Sequence, residues 1–534
     1  MPESFNVSTY LLDRHVEAGR GDRLAVTGPG TSLTYAALTD LVGQVAAGLR
    51  GLGVRPEERV VLVMADGPEL LAAILAAMRI GAVAVPVSTM LTGEELAALV
   101  RDARSRVLVA SDQFAAAARV AASGAPELAD VVVHGDAEIT APAGTRVRTW
   151  ADLLAAGAGH SGEPFDTWDD SIALWLYTSG TTGRPKAAMH RHANIRHVVE
   201  TYATNVLRIG PQDRCFSVAK LFFAYGIGNS AFFPLAVGAA TVLDPARPTP
   251  DSVAARLVEH RPTLFFAVPT FYAAVVNAGV PAEVFSSVRL AASAGEPMPA
   301  EVYRRFTARF GVEVLDGIGS TEALHIFLSN REGQVRPGTT GTPVPGYQLS
   351  LRDDEGNEVG DDEPGNLFVR GESLAVGYWC RTAVTRRVFE GEWLRTGDTY
   401  LRSADGYYTC LGRSDDMIKV GGIWVSPTEV EARLLEHPGV AQVAVVGVPD
   451  QDGLDKPVAC VVPADQPVDA EELVAFCRAG LAAFKRPRRV LFFDELPTTA
   501  TGKLRRFAVR DAATLRLANQ SQVTGSGESR SVSV

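Results

Sequence analysis

The ten residues YTSGTTGRPK (177–186) gather more hydrogen-bonding side chains than a core strand tolerates. Tyr177, Thr178, Ser179, Thr181 and Thr182 bring hydroxyls, Gly180 and Gly183 free the backbone, and Lys186 ends the run with a positive charge. Glycine lets successive backbone N–H groups point into one concavity, and Ser and Thr hydroxyls add donors there. These are the parts of a cradle for phosphate. A solvated surface turn is the bland alternative for such a composition. The run is not the phosphate loop G-x-x-x-x-G-K-[ST] that opens a helix. Pro185 precedes the lysine, and the AAMH that follows does not read as a helix start.

The elements that must hold this loop are legible as patterns. SIALWLY (171–177) is a nearly continuous apolar run and reads as a buried strand leading directly into the loop. Upstream, YAALTDLVGQVAAGLRGLG (35–53) has helical spacing and a glycine stop. RVVLVMA (59–65) reads as a strand, PELLAAILAAMRIG (68–81) as a helix and AVAVPV (82–87) as a strand, with RVLVAS (106–111) and DVVVHG (130–135) continuing the alternation. That is the pattern of parallel strands with crossover helices. Residues 335–415 change character to short strands and Gly/Pro turns, which predicts an antiparallel, barrel-like subdomain. Helix and strand patterns return after residue 422, in PTEVEARLLEH, AQVAVVGV, KPVACVVP and AEELVAFCRAGLA. The expected fold class is α/β: a large N-terminal domain of parallel-sheet α/β subdomains plus a small β-barrel (1–414), then a small mobile α+β C-terminal domain (415–518). The polar, Gly/Ser-rich tail 519–534 is expected to be disordered.

Composition sets the bounds. At 534 residues the chain exceeds one compact core, since domains run to roughly 100–200 residues. A net charge of −11 argues against nucleic acid or an anionic membrane as partner. The five cysteines are scattered, with no CxxC pair, which fits a reducing compartment rather than a disulfide or zinc framework. The start has no signal-peptide pattern, and the apolar stretch 70–87 contains Arg79 and Gly81, so it reads as a buried helix and strand rather than a membrane span. A cytoplasmic protein is expected. A homodimer stays open as an option, because the sequence settles no oligomeric state.

YTSGTTGRPK resembles the phosphate-binding signature of the acyl-adenylate-forming superfamily of acyl- and aryl-CoA ligases, luciferases and peptide-synthetase adenylation domains. Five further blocks follow in the family order: SAGEPMP (293–299), DGIGSTEALHIF (316–327), WLRTGD (393–398), GRSDDMIKVGGIWVSPTEVE (412–431) and PTTATGKLRR (497–506). The segments KLFFAYGIGN, STEALHIFLSN and KVGGIWVSP resemble the benzoate-CoA ligase branch. Ala187 stands where relatives often carry glycine, with Lys186 retained.

The resemblance implies ATP, Mg²⁺ and the cosubstrate CoA, and a reaction in two halves. A carboxylate is first transferred to the α-phosphate of ATP, and a thiol then displaces AMP. Thr178, Ser179, Gly180, Thr181, Thr182, Gly183 and Lys186 match the β/γ-phosphate loop, and Thr321 an α-phosphate contact. Glu322 matches a Mg²⁺ ligand, although alone it would read as a carboxylate favoured at a helix start. Gly295, Glu296 and Pro297, with Asp316, Gly317 and Ile318, match segments around adenine. Asp398, which alone would pass for a turn former, matches a ribose acceptor, and Arg413 is expected to reach the same sugar. Lys503 would otherwise read as a solvated lysine. It matches the catalytic lysine that bridges carboxylate and α-phosphate, where an ammonium reduces repulsion between anions.

For the second half, Asp415 matches the hinge about which the C-terminal domain rotates. Gly421 and Gly422 match the passage for pantetheine. Phe484, Arg486 and Arg488 match a CoA-nucleotide site, although basic clusters are mostly solvated faces. Phe223, Ala224, Tyr225 and Gly226 resemble one wall of the acyl pocket, and Leu324, His325 and Ile326 the opposite wall, with Ala224 and Gly226 keeping a slot between them. Flat aromatic and small residues suit a planar acid such as benzoate or a hydroxy- or amino-benzoate. Two rivals stand beside this: an adenylation enzyme that loads a carrier-protein thiol, and a non-catalytic nucleotide-binding relative.

Overall fold

Short apolar strands alternating with amphipathic helices build two parallel-rich sheets. The computed structural model describes residues 3–179, 185–414, 416–420, 423–450, 455–464, 466–498 and 504–525. In a seven-stranded sheet, Arg146–Thr149, Asp130–His134, Val107–Ser111, Arg59–Val63, Val83–Pro86 and Ile172–Ser179 run parallel in that order, and Pro185–Arg191 closes the edge antiparallel. A nine-stranded sheet has a parallel centre of Leu24–Gly28, Ala240–Val242, Arg214–Ser217, Leu264–Ala267, Leu290–Ser293 and Val314–Gly319, with antiparallel strands at its edges. All six segments read from 35 to 135 form the expected elements: the helices Tyr35–Gly51 and Pro68–Arg79 and the strands already named.

Burial on both faces explains why these strands read as unbroken apolar runs. Every residue of the helix Pro68–Arg79 except Glu69 is buried. Its buried charge, Arg79, is 5% exposed, and it is matched by Asp13 through two bonds of 2.8 and 2.9 Å and by the Gly162 carbonyl at 2.7 Å. A buried cation satisfied in this way belongs to a protein core. No helix among the described residues is long and apolar enough to cross a membrane.

Residues 348–413 form a five-stranded antiparallel sheet, a half-barrel where the sequence pattern predicted an antiparallel, barrel-like subdomain. Its strands Gly365–Arg370 and Tyr408–Arg413 coincide with the two expected there. The C-terminal part holds a hairpin, Ile418–Val420 with Ile423–Val425, and a three-stranded sheet of Val440–Pro449, Asp455–Pro463 and Arg489–Phe492, covered by the helices Pro427–Leu435 and Ala470–Gly480. The last helix, Arg506–Gly525, runs past the Asn519 at which the disordered tail was expected to begin. Alanine and leucine between Ala508 and Ala518 favour the helix that Gln520 and Gln522 then continue.

One ion pair ties this last helix to its sheet. The Arg506 guanidinium meets both oxygens of Glu431 at 2.5 and 2.8 Å and donates to the Val445 carbonyl at 3.0 Å, while the Val445 N–H donates to Glu431 at 2.7 Å. Breaking such a pair leaves an uncompensated charge. The Arg506 side chain keeps 20% of its exposure, so Arg506→Met should cost about 2–3 kcal/mol, below the ~3–5 of a fully buried pair. Hydrogen exchange along Val440–Pro449 is the measurement. Protection equal to that of the unmodified protein would show that the pair contributes nothing.

Candidate functional site

The site grows from the carboxyl ends of adjacent parallel strands, where open α/β sheets leave a crevice. The strand Arg214–Ser217 leads to Phe223–Gly226, Leu290–Ser293 to Gly295–Pro297, and Val314–Gly319 to Thr321 and Glu322. The phosphate-loop segment approaches from the other sheet. Ile172–Ser179 and Pro185–Arg191 pair antiparallel, with Thr178 opposite Lys186 and Ser179 opposite Pro185. Gly180, Thr181, Thr182 and Gly183 lie outside the described residues. Tyr177 takes no part in the cradle, since its hydroxyl donates to Asp102 at 2.9 Å on the opposite face of the strand. Asp102 also receives Arg381 at 2.8 Å, and its carbonyl receives the Trp379 indole at 3.0 Å.

The strand Pro185–Arg191 also holds the second half of the site. The His190 Nε2 lies 2.8 Å from the carbonyl of Thr321, and its Nδ1 receives the Asn194 amide at 3.0 Å, which leaves the proton on Nε2 to donate to Thr321. Burial pushes the His190 imidazole down to about 4, so it stays neutral. The Glu322 carbonyl accepts from Ala375 at 2.7 Å, and its carboxylate accepts from the Tyr378 hydroxyl at 2.6 Å. The Lys186 ammonium lies over the Tyr378 ring, 4.4 Å from its centroid. The loop lysine and Glu322, separate in sequence, therefore meet through one tyrosine.

Asp316 is buried. Its Oδ2 accepts from the Met298 N–H at 3.3 Å, its Oδ1 has no hydrogen-bond partner, and burial holds its carboxyl well above the usual carboxylate range. Asp398 and Arg413 pair across neighbouring strands, with an ion pair of 3.1 Å. Glu296 accepts from the Leu504 N–H at 2.7 Å, so the C-terminal part reaches the site with the residue next to Lys503. Lys503 itself, Asp415, Gly421 and Gly422 lie outside the described residues. Among the described residues no group of three or more His, Cys, Asp or Glu could hold a metal. A cation here would depend on a single carboxylate together with a ligand's own oxygens, which suits Mg²⁺.

The acyl segments meet, but not as two walls of a slot. The Tyr225 and His325 rings are 5.5 Å apart at a 32° tilt. A third ring stacked between them would need roughly 7 Å, two layers at van der Waals distance. His325 also packs on Phe233 and Tyr202, and burial lowers its pKa to about 3. Leu324, His325 and Ile326 are buried, whereas Phe223, Ala224 and Tyr225 keep partial exposure, as do Ile318, Gly319 and Ser320. Gly226 opens no space either. A Cβ there would lie 1.9 Å from the Lys220 carbonyl, so its role is close backbone approach. Gly228, which the sequence reading passed over, is the residue that gives His325 room, since a Cβ there would lie 2.3 Å from the imidazole.

In the expected CoA cluster, the Arg486 guanidinium is taken up by the carbonyls of Leu481 and Arg478 at 2.9 and 3.4 Å. Arg488 is exposed, and Phe484 lies in the short turn Ala483–Lys485. Tyr378, His190 and Asn194 were missed in the sequence. Tyr378 and His190 act on residues over 50 positions away, and Asn194 acts through His190 from the helix His192–Val198 that follows its strand.

Residues 12–379 match the AMP-binding enzyme family, and residues 429–503 match the AMP-binding enzyme C-terminal domain. The chain is 44% identical over 516 residues to a 4-hydroxybenzoate–CoA/benzoate–CoA ligase of Rhodopseudomonas palustris, covering 95% of this chain and 94% of that protein. Its fold superposes on a benzoate CoA ligase from Burkholderia xenovorans LB400 with a TM-score of 0.86 at 43% identity, covering 95% of this chain and 100% of that one. An anthranilate CoA ligase solved in complex with anthranoyl-AMP gives a TM-score of 0.90 at 38% identity, covering 97% and 99%.

The buried neutral His190 makes the site acid-labile. Its folded pKa of about 4 lies below the ordinary 6.5, so the unfolded chain binds the extra proton between those values. Its contribution is complete above pH 6.5 and is lost as pH falls towards 4, amounting to roughly 2 kcal/mol at pH 5. Urea unfolding at pH 7.5 and pH 5 should show the unmodified protein losing that much more stability than His190→Gln. Equal losses would mean that His190 is not held neutral.

Proposed function

The chain belongs to the AMP-binding enzyme family, and from that membership we propose that it is an ATP-dependent aryl-CoA ligase acting on benzoate or a hydroxy- or amino-benzoate. In the first step a carboxylate oxygen attacks the α-phosphorus of ATP and pyrophosphate leaves, giving the acyl-AMP anhydride. In the second the CoA sulfur attacks the acyl carbonyl, its proton is lost and AMP departs. The observation that carries the reading is the Glu296–Leu504 bond, which sets the neighbour of Lys503 beside the crevice that already holds Thr321, Glu322 and Asp316.

Each residue has a task set by charge. Thr178, Ser179 and the residues to Gly183, with Lys186, take the β- and γ-phosphates. The orphaned Oδ1 of Asp316 accepts from the exocyclic amine of adenine, the donor that such a buried acceptor lacks. Asp398 accepts from ribose hydroxyls and is held in place by Arg413. Thr321 donates to the α-phosphate, its backbone fixed by His190. Glu322 with the nucleotide phosphates would hold Mg²⁺, which supplies charge neutralisation at the leaving pyrophosphate. Lys503 bridges carboxylate and α-phosphate, where preorganised positive charge is most effective. The acid lies against Phe223, Ala224 and Tyr225, with His325 behind them. Rotation about Asp415 withdraws Lys503 and admits CoA past Gly421 and Gly422, with Phe484 and Arg488 nearest its nucleotide.

The two halves separate experimentally. Lys503→Ala should lose acyl-AMP formation by on the order of 10²–10³ or more yet still convert supplied acyl-AMP to the thioester. Equal loss of both halves would remove the role given to Lys503.

Substrate choice follows from rigidity. A planar acid loses few rotors on binding, while a fatty acyl chain must freeze many, each costing about 0.5 kcal/mol or more. Benzoate-sized acids should therefore exceed octanoate by at least roughly 100-fold in kcat/KM, about 2.7 kcal/mol. AMP release and thioester mass across benzoate, its 2-, 3- and 4-substituted hydroxy and amino forms and octanoate, with free CoA, give the ranking. A preference for octanoate would refute the aryl assignment, and AMP release without thioester would point to a carrier-protein acceptor.

A further inference from the structure

Tyr378 lies outside every segment to which the sequence assigned chemistry, yet it touches two of the groups that carry it. Its hydroxyl donates to Glu322 Oε1 at 2.6 Å, and the Lys186 ammonium sits 4.4 Å from its ring centroid. The tyrosine is 4% exposed, so neither contact is a chance surface encounter. A buried phenol needs some acceptor, and a backbone carbonyl or a water would satisfy it equally well. This one takes a carboxylate, and charged acceptors make the stronger bond.

The backbone around it is pinned from both sides. Val376 and Trp379 donate to the carbonyls of Met189 and Ala187, and Met189 donates to the Gly377 carbonyl, each at 3.0 Å. These bonds lock the segment onto the strand that begins at Pro185, just before Lys186. Ala375 donates to the Glu322 carbonyl at 2.7 Å, which locks the same segment onto the other partner. Gly377 has φ +140°, and a Cβ there would lie 2.7 Å from the Thr385 methyl, while Thr385 Oγ1 accepts from the Tyr378 N–H at 3.0 Å. The Phe389 ring closes the far side at 5.7 Å, edge to face. The phenol is therefore held by its main chain and its packing, and the two charged groups are placed relative to it.

We propose that Tyr378 is a positioning residue that holds the Glu322 carboxylate and the Lys186 ammonium in the arrangement that receives the metal–triphosphate complex of ATP. With Oε1 engaged by the phenol, the carboxylate is kept from swinging freely and presents its other oxygen to a cation. With its charge over the ring face, Lys186 is kept at the mouth of the phosphate loop before nucleotide arrives. The two effects separate by atom, because the hydroxyl serves Glu322 and the ring serves Lys186. The proposal rests on Glu322 being the metal-binding carboxylate.

The test measures binding, not turnover alone. ATP affinity is taken by calorimetry in EDTA and in Mg²⁺, and Mn²⁺ binding in the presence of ATP is followed by electron paramagnetic resonance, for the unmodified protein, Tyr378→Phe, Tyr378→Leu and Glu322→Gln, each first checked for an unchanged thermal transition. Tyr378→Phe keeps the ring. It should bind ATP in EDTA within about twofold of the unmodified protein while losing about tenfold or more in Mn²⁺ and Mg²⁺–ATP affinity, the scale of one hydrogen bond to a charged group. Tyr378→Leu should lose the same factor with metal and, in addition, weaken ATP binding in EDTA. Tyr378→Phe binding Mn²⁺ like the unmodified protein would overturn the proposal. So would Tyr378→Phe weakening ATP equally with and without metal, which is the mark of a merely structural tyrosine. Glu322→Gln with undiminished Mn²⁺ binding would remove the assignment of Glu322, and the proposal with it.

Discussion

The strand Pro185–Arg191 is shared by three parts of the molecule at once. One edge pairs with Ile172–Ser179 and closes the phosphate hairpin. The other takes the segment around Val376–Trp379 from more than 180 residues away. Its own side chains then supply Lys186 at the mouth and His190 beneath Thr321. Because side chains alternate along a strand, Lys186 and His190 share one face at even spacing. A one-residue slip in this ladder would turn both away from the site. The seven-stranded sheet and the segment Val376–Trp379 both meet the site through this one strand and its pairings.

Charge in the crevice is managed by burial as much as by pairing. The buried imidazoles of His190 and His325 are held neutral, so they position neighbours without adding cations to a place that must tell phosphate from carboxylate. Asp316 is buried deeply enough that its ionised form is disfavoured, and one of its oxygens stays unmet by the protein. An unmet buried acceptor is a cost that a bound donor would remove. Asp398 has Arg413 opposite it and keeps a polar partner throughout.

The C-terminal part reaches the crevice through a backbone bond. Glu296 reaches Leu504 across the gap, while Arg506, two residues on, is bound to Glu431 within its own unit and lies 3.9 Å from Asp416 beside the expected hinge. The helix that begins at Arg506 is thereby anchored to its own sheet.

Local pattern determined the elements, because burial on both faces writes itself as continuous apolar runs and amphipathic helices as a 3.6-residue period. The strand Ile172–Ser179, the alternation from 35 to 135 and the two-part division were all legible for that reason. The donor-rich run 177–186 stood out as a candidate for phosphate, since such a cradle needs glycines and hydroxyls that are adjacent in sequence. The extent of the last helix was not, because a polar helix and a polar coil share a composition. Tertiary structure alone decided which side chains face one another. It turned Tyr177 away to Asp102, set Tyr225 against His325 instead of across a slot, gave Gly226 to a backbone crossing, and occupied Arg486 with its own domain's carbonyls. It alone brought Tyr378 between Lys186 and Glu322. Such contacts depend on strand register and on chain crossings between distant segments, and no window of local sequence encodes either.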